Sequence, residues 1–237
     1  MVKIKLAATI KVIREKPSGG IETLLLRRNK KLKFAPRFWV FPGGKIDPDE
    51  LSNADSEMEA ALIAATREAK EEADLDILKK DLKYYVNWTT PVDQPYRYKT
   101  YFFHVQVPYF DSEVVVDNSE ILEHRWYTPE EALTAAKTKD IIILPPTYIS
   151  MMRIRHCQSY DEVVNEWGRH EPHIIVPRVS QEGDIMHCMY EGDAGFSETK
   201  FDTPGPRHRL VADYASGIFD FQHQGCDDYF PINGGYN

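Results

Sequence analysis

From Ile4 to Arg14 apolar and polar residues alternate with period two, and many are β-branched; the alternation returns from Ile21 to Arg28. Such alternation predicts strands with one face buried, because successive strand side chains point to opposite sides. Pro17-Ser18-Gly19-Gly20 lies between them and predicts a hairpin turn. Phe38 to Phe41 reads as a short apolar strand running into Pro42-Gly43-Gly44. The period then lengthens. Met58, Leu62, Ala65 and Ala69 fall on one helical stripe, with Ser56 as N-cap and Glu59 three residues on, the capping-box pattern. Tyr84 to Thr90, Lys99 to Pro108 and Leu122 to Tyr127 read as further strands. Thr128-Pro129-Glu130-Glu131 opens a helix, with proline at its first position.

Past Asp140 the pattern shortens. Pro145-Pro146-Thr147 starts a helix to about Arg155, and Ser159 to Trp167 reads as another. Ile174 to Val179, Ile185 to Tyr190 and Arg209 to Val211 are short strand-like pieces, and the last stretch is aromatic and glycine-rich with no clear period. Alternating strands and helices predict an α/β (α+β) fold, a mixed sheet between helices over residues 1–140, followed by a C-terminal extension over 141–237. Trp167, Phe196, Tyr214, Phe219, Phe221, Tyr229 and Phe230 make the extension too aromatic for a disordered linker. It is expected to pack on the core or across a homodimer and to help wall a substrate cleft.

Composition narrows the partners. The 237 residues carry a formal net charge of −8, which argues against a nucleic-acid surface. No apolar run approaches a membrane span, and Met1 to Ala8 reads as a first strand rather than a signal segment. The three cysteines, Cys157, Cys188 and Cys226, have no metal-type spacing and point to a reducing, cytoplasmic setting. His156-Cys157 and His187-Cys188 are adjacent pairs, which cannot easily face one metal from a regular element, and read as structural.

The chemistry concentrates in Arg67-Glu68-Ala69-Lys70-Glu71-Glu72. Glu68, Glu71 and Glu72 stand at i, i+3 and i+4, so a helix gathers their carboxylates on one side, where they repel each other. Hard divalent cations relieve that repulsion, take oxygen ligands and sit beside phosphates. A solvated acidic face would explain the glutamates but not the Pro-Gly-Gly turn ahead of them.

Gly44, Glu59, Arg67, Glu68, Glu71 and Glu72, with apolar Ala69 and Leu75, resemble the Nudix box, Gly-x5-Glu-x7-Arg-Glu-U-x-Glu-Glu-x-Gly-U with U apolar. With Glu59 as the first glutamate, nine extra residues fall between it and Gly44. They form an insertion at about 45–55, expected to bulge to the surface at little entropic cost. Asp74 stands where the pattern has glycine. The resemblance implies a Nudix-type sheet and a hydrolase that splits a pyrophosphate link with Mg²⁺ or Mn²⁺. It implies Gly43, Glu68, Glu71 and Glu72 as metal ligands, Arg67 as their organiser, and Glu59 as a brace. The general base is a box glutamate or a distal carboxylate, for which Glu120 is the candidate and Glu123 the alternative. Arg27, Arg28 and Arg97 are candidates for substrate phosphate, with surface charge as the alternative. Trp39, Trp88 and Tyr98 either stack on a base or belong to the core.

A narrower resemblance, to the coenzyme A diphosphatase branch, rests on Leu24-Leu25-Leu26-Arg27-Arg28, Phe34-Ala35-Pro36 and Trp39 to Gly44. Trp88 to Pro91, Arg97 to Phe103, Leu144 to Thr147 and Pro206 to Leu210 extend it. It implies coenzyme A or an acyl-CoA as a small nucleotide-type substrate. ADP-ribose, NADH and dinucleoside polyphosphates are the alternatives, and a non-catalytic ligand-sensing module is the rival class.

Overall fold

The computed structural model describes residues 3–92, 94–109, 113–168 and 172–226. Tyr229 and Phe230, expected among the buried rings of the extension, lie outside the described residues. Eight strands form one mixed sheet: β1 (Ile4–Glu15), β2 (Ile21–Arg28), β3 (Trp39–Val40), β4 (Gly43–Lys45), β5 (Lys83–Thr89), β6 (Arg97–Gln106), β7 (Ile121–Tyr127) and β8 (His173–Ile175). The central path is β3-β2-β1-β6-β5-β8, with β4 paired to β1 and β7 to β2. β1 runs parallel to β6, and β8 parallel to β5; the other pairs are antiparallel. The mixed α+β fold expected from the sequence is the fold observed.

Alternation along β1 divides the interior in two. Ala8, Ile10 and Val12 face helix α2 (Glu57–Ala73). That helix packs close to the sheet because its inner face is small: Ala60, Ala61, Ala64, Ala65, Ala69 and Ala73 are all buried. Ile13 lies on the other face, in a cluster with α3 (Pro129–Lys137), α4 (Pro145–Ile154) and α5 (Tyr160–Gly168). The sheet is thus layered between helices, and no helix among the described residues is long and apolar enough to cross a membrane.

A second, antiparallel sheet of order β12-β11-β10-β9 joins that same cluster: β9 (Arg178–Glu182), β10 (Ile185–Met189), β11 (Arg207–Asp213) and β12 (Ile218–Gln224). Tyr148 of α4 stacks on Phe219 with ring centroids 4.8 Å apart, and Trp88 of β5 meets Tyr190 edge-on at 5.9 Å. Asp193 staples the connection between β10 and β11: it accepts from the backbone of Gly195 and His208, and from Arg209 Nε at 2.7 Å.

Several elements differ from the sequence expectation. The acidic stretch does not simply bulge; Pro48–Asn53 forms a helix, α1, entered through Asp47, whose backbone N–H donates to Glu50 at 2.7 Å. Ile174 to Val179 is not one strand. Pro177, which has no N–H to give a ladder, marks where the chain leaves β8 in the first sheet and enters β9 in the second. Ile218–Gln224 does have a period: Phe219 and Phe221 alternate with the more polar Asp220 and Gln222.

Candidate active site

The turn ahead of α2 is fixed by β1. Thr9 Oγ1 and the Ile10 N–H both donate to the Pro42 carbonyl at 2.8 Å, which lays Gly43 and Gly44 alongside Thr9 and Ala8. A Cβ on Gly43 would run into the Ala8 carbonyl oxygen, and one on Gly44 into the Glu68 carboxylate. Gly43 therefore requires glycine by its approach to backbone, whereas a side chain at Gly44 would displace the Glu68 carboxylate from its place.

α2 delivers the carboxylates to this turn. Glu72 is buried and accepts from the Gly43 N–H at 2.8 Å. Arg67 Nη1 donates to Glu68 Oε1 at 2.9 Å and to Glu71 Oε2 at 2.8 Å. On its other side Arg67 is held by Glu50, Nε to Oε1 at 2.9 Å and Nη2 to Oε2 at 3.3 Å, and by the Lys45 carbonyl at 3.0 Å. Its proton is held above the ordinary arginine range, first by the bonds to Glu50. Burial raises the proton affinity of Glu68 and pushes the Glu72 carboxyl up to about 8, with the neighbouring acids adding to burial in both.

Glu50 revises the reading of the box. Gly44-x5-Glu50 keeps the first spacing of the pattern, and it is Glu50 that grips Arg67. Glu59 sits at the exposed start of α2, where it accepts from the Asp55 N–H at 3.1 Å and faces Lys79 at 3.4 Å. The nine extra residues therefore lie between Glu50 and Arg67, not between Gly44 and the first glutamate. Two glutamates each satisfy half of the pattern, and only contact geometry separates them.

Gly43, Gly44, Arg67, Glu68, Glu71, Glu72 and Glu120 all line one cavity of about 1110 Å³. Glu120 reaches it from the loop before β7, where Asp117 accepts from the Glu120 N–H at 2.8 Å and the Glu120 carbonyl accepts from the Asn29 N–H at 2.7 Å. Glu123, the alternative distal acid, pairs with Arg27 at 2.7 Å, and neither is among the lining residues. Of the three arginines considered for phosphate, Arg28 lines the cavity. Arg27, one residue away on β2, pairs with Glu123 instead, and Arg97 is not a lining residue, though it donates to the carbonyl of Thr90, which is. Trp88 and Tyr98 line the floor, while Trp39 is core. Sequence reasoning missed Lys5, Thr9 and Phe102, brought there by strand pairing, and Val179, Met186, Cys188 and Tyr214 from the extension.

As they stand, Glu68 and Glu71 are drawn to Arg67, and among the described residues no three acidic, histidine or cysteine side chains close on one point. Glu68 Oε2, Glu71 Oε1 and Glu72 Oε1 remain outside these bonds. The donor set is all oxygen and crowded with negative charge, which suits a hard divalent cation such as Mg²⁺ or Mn²⁺.

A family model described as NUDIX domain matches residues 5–145. A curated Caenorhabditis elegans protein named nudix hydrolase 7 is 27% identical, the match covering 72% of this chain and 68% of that protein. The crystal structure of a NUDIX hydrolase from Alicyclobacillus acidocaldarius is similar in fold, with a TM-score of 0.61 at 23% identity over 70% of this chain and 97% of the other.

Proposed function

The chain belongs to the NUDIX family and is a pyrophosphohydrolase, and on that premise we propose that it cleaves coenzyme A or an acyl-CoA at the pyrophosphate. The observation that carries the reading is the cluster of Glu68, Glu71, Glu72 and Glu120 facing one cavity beside Gly43 and Gly44. A divalent cation held by Glu68, Glu71, Glu72 and the Gly43 carbonyl would neutralise phosphate charge and acidify a bound water. Arg67 holds Glu68 and Glu71 in place. Glu120 approaches from the opposite loop and is the candidate to take a proton from the attacking water. Arg28 is placed to meet phosphate oxygens.

Coenzyme A is preferred over ADP-ribose, NADH or a dinucleoside polyphosphate because the segments that resemble the coenzyme A branch border this cavity. Arg28, Phe34 and Phe41 come from three of them, and Leu144 to Thr147 from another. A panel of these compounds with Mg²⁺ and with Mn²⁺, read by chromatography of the products, tests the substrate. Cleavage of ADP-ribose with coenzyme A inert would replace the coenzyme A reading. Glu71→Gln is expected to lower kcat by two orders of magnitude or more with an unchanged melting curve. An unchanged rate would remove Glu71 from the metal set, and a wild type inert on the whole panel would favour the ligand-sensing class.

A further inference from the structure

The cavity lining changes its chemistry along the chain. All its charged members, Lys5, Arg28, Glu68 and Glu120 among them, come from residues before 121; every lining residue from Leu144 onward is uncharged. The extension's share comes largely from one face of the second sheet. Cys188 pairs with Val179 on one side and Leu210 on the other, and Met186 pairs with Ala212, so these side chains share a face. Where that face meets the first sheet it is core: Leu210, Ala212 and Phe219 are buried. Where it reaches the cavity, Val179 and Met186 are only half-buried, and Tyr214 beside them packs edge-on against Phe38 at 5.7 Å. Apolar surface is thus left facing the same space as the carboxylates.

We propose that this wall binds an uncharged, flexible arm carried beyond the substrate's pyrophosphate, and that Val179 and Met186 set the preference for that arm. The inference rests on the reading that the site takes a pyrophosphate. A flat base needs exposed ring faces, and those the cavity offers, Phe34, Tyr96 and Tyr98, come from before residue 121 and not from this wall. The wall itself is aliphatic and thioether, surfaces that suit a linear chain, and methionine adapts to differing shapes. Cys188 contributes as a neutral lining group, since burial pushes its thiol up to about 12.

Calorimetric binding of coenzyme A and of hexanoyl-CoA in the presence of Ca²⁺, an oxygen-seeking cation that neutralises the carboxylates, tests the wall, with chromatography confirming that the ligands stay intact. Each methylene removed from water adds about fourfold in affinity, so the thioester should bind at least about tenfold tighter to the wild type. Met186→Asp and Val179→Asp should bring that ratio close to one, and Met186→Leu should keep it; melting curves confirm that each variant is folded. Equal binding of the two ligands by the wild type, no binding of either, or an unchanged ratio in both aspartate variants overturns the proposal. The hydrolysis panel fails separately: acyl-selective binding without cleavage would sink the catalytic reading and leave the wall standing.

Discussion

Arg67 owes its position to Glu50, a residue the sequence placed in a surface insertion. A guanidinium gripped on two nitrogens has one orientation, and that orientation fixes Glu68 and Glu71. Glu50→Gln is therefore expected to lower kcat at least about tenfold, as orientation effects do, while Glu59→Gln changes it less than about twofold. Equal effects would return Glu59 to the box. The triad of glutamates was legible because one helix sets its spacing; the partner of Arg67 was not, because it comes from another element. A second residue reports on stability. Lys11 is fully buried between the rings of Tyr85 and Trp167, 4.4 and 5.0 Å from its Nζ, and its Nζ has no hydrogen-bond partner among the described residues. Burial lowers its pKa from 10.5 to about 7, with Cys157 opposing and Arg153 adding; His104 beside it is pushed by burial to about 3. Between pH 7 and 10.5 the unfolded chain thus binds a proton that the folded chain does not, so stability rises with pH by at most about 1.4 kcal/mol per unit. Lys11→Met should be the more stable protein at pH 7, with its advantage over the wild type shrinking toward pH 9.5 in urea titrations. A constant difference would show that Lys11 keeps its proton.

At the level of elements, α2 ends where the family pattern has glycine. Asp74 takes a left-handed conformation there, φ 54°, and its N–H caps Ala69 and Lys70. Left-handed backbone costs a side-chain-bearing residue about 1 kcal/mol, and the exposed pair with Lys70 offsets little of it. Asp74→Gly should raise the melting temperature by a degree or more without touching the cavity; a fall would mean that the ion pair outweighs the strain. The long elements were readable because period and capping agreed over many residues, as in β1 and α2. The misses were elements whose identity depends on a neighbour. β4 is three residues that become a strand only by pairing with β1, and α1 is a single short helix held through Asp47 and Glu50. β8 and β9 share one apolar run that two different sheets divide.

For the molecule as a whole, the family match ends at residue 145 but the buried core does not. Ile149, Ile154, Val163, Leu210 and Phe219 lie in the same cluster as Ile13, Leu25 and Trp88. We hold residues 141–226 to be an extension of one folding unit rather than a separate domain. A chain ending at Asp140 is expected to be insoluble, or to lose most of its activity; a soluble, fully active product would make the extension independent. The extension's aromatic content announced that it must be buried somewhere. Which of its residues would face substrate was not legible, since that depends on how two sheets meet.

The passage from β8 to β9 carries a mechanical consequence. β8 is hydrogen-bonded to β5 from Val86 to Trp88, and two residues later the chain is already part of the sheet bearing Val179 and Met186. Moving that sheet outward would mean tearing a strand from the floor, a cost far above thermal energy. Reactants and products must then come and go past a stationary partition. On the proposed function, selection among substrates then rests on how well each fits that fixed wall, rather than on closure after capture.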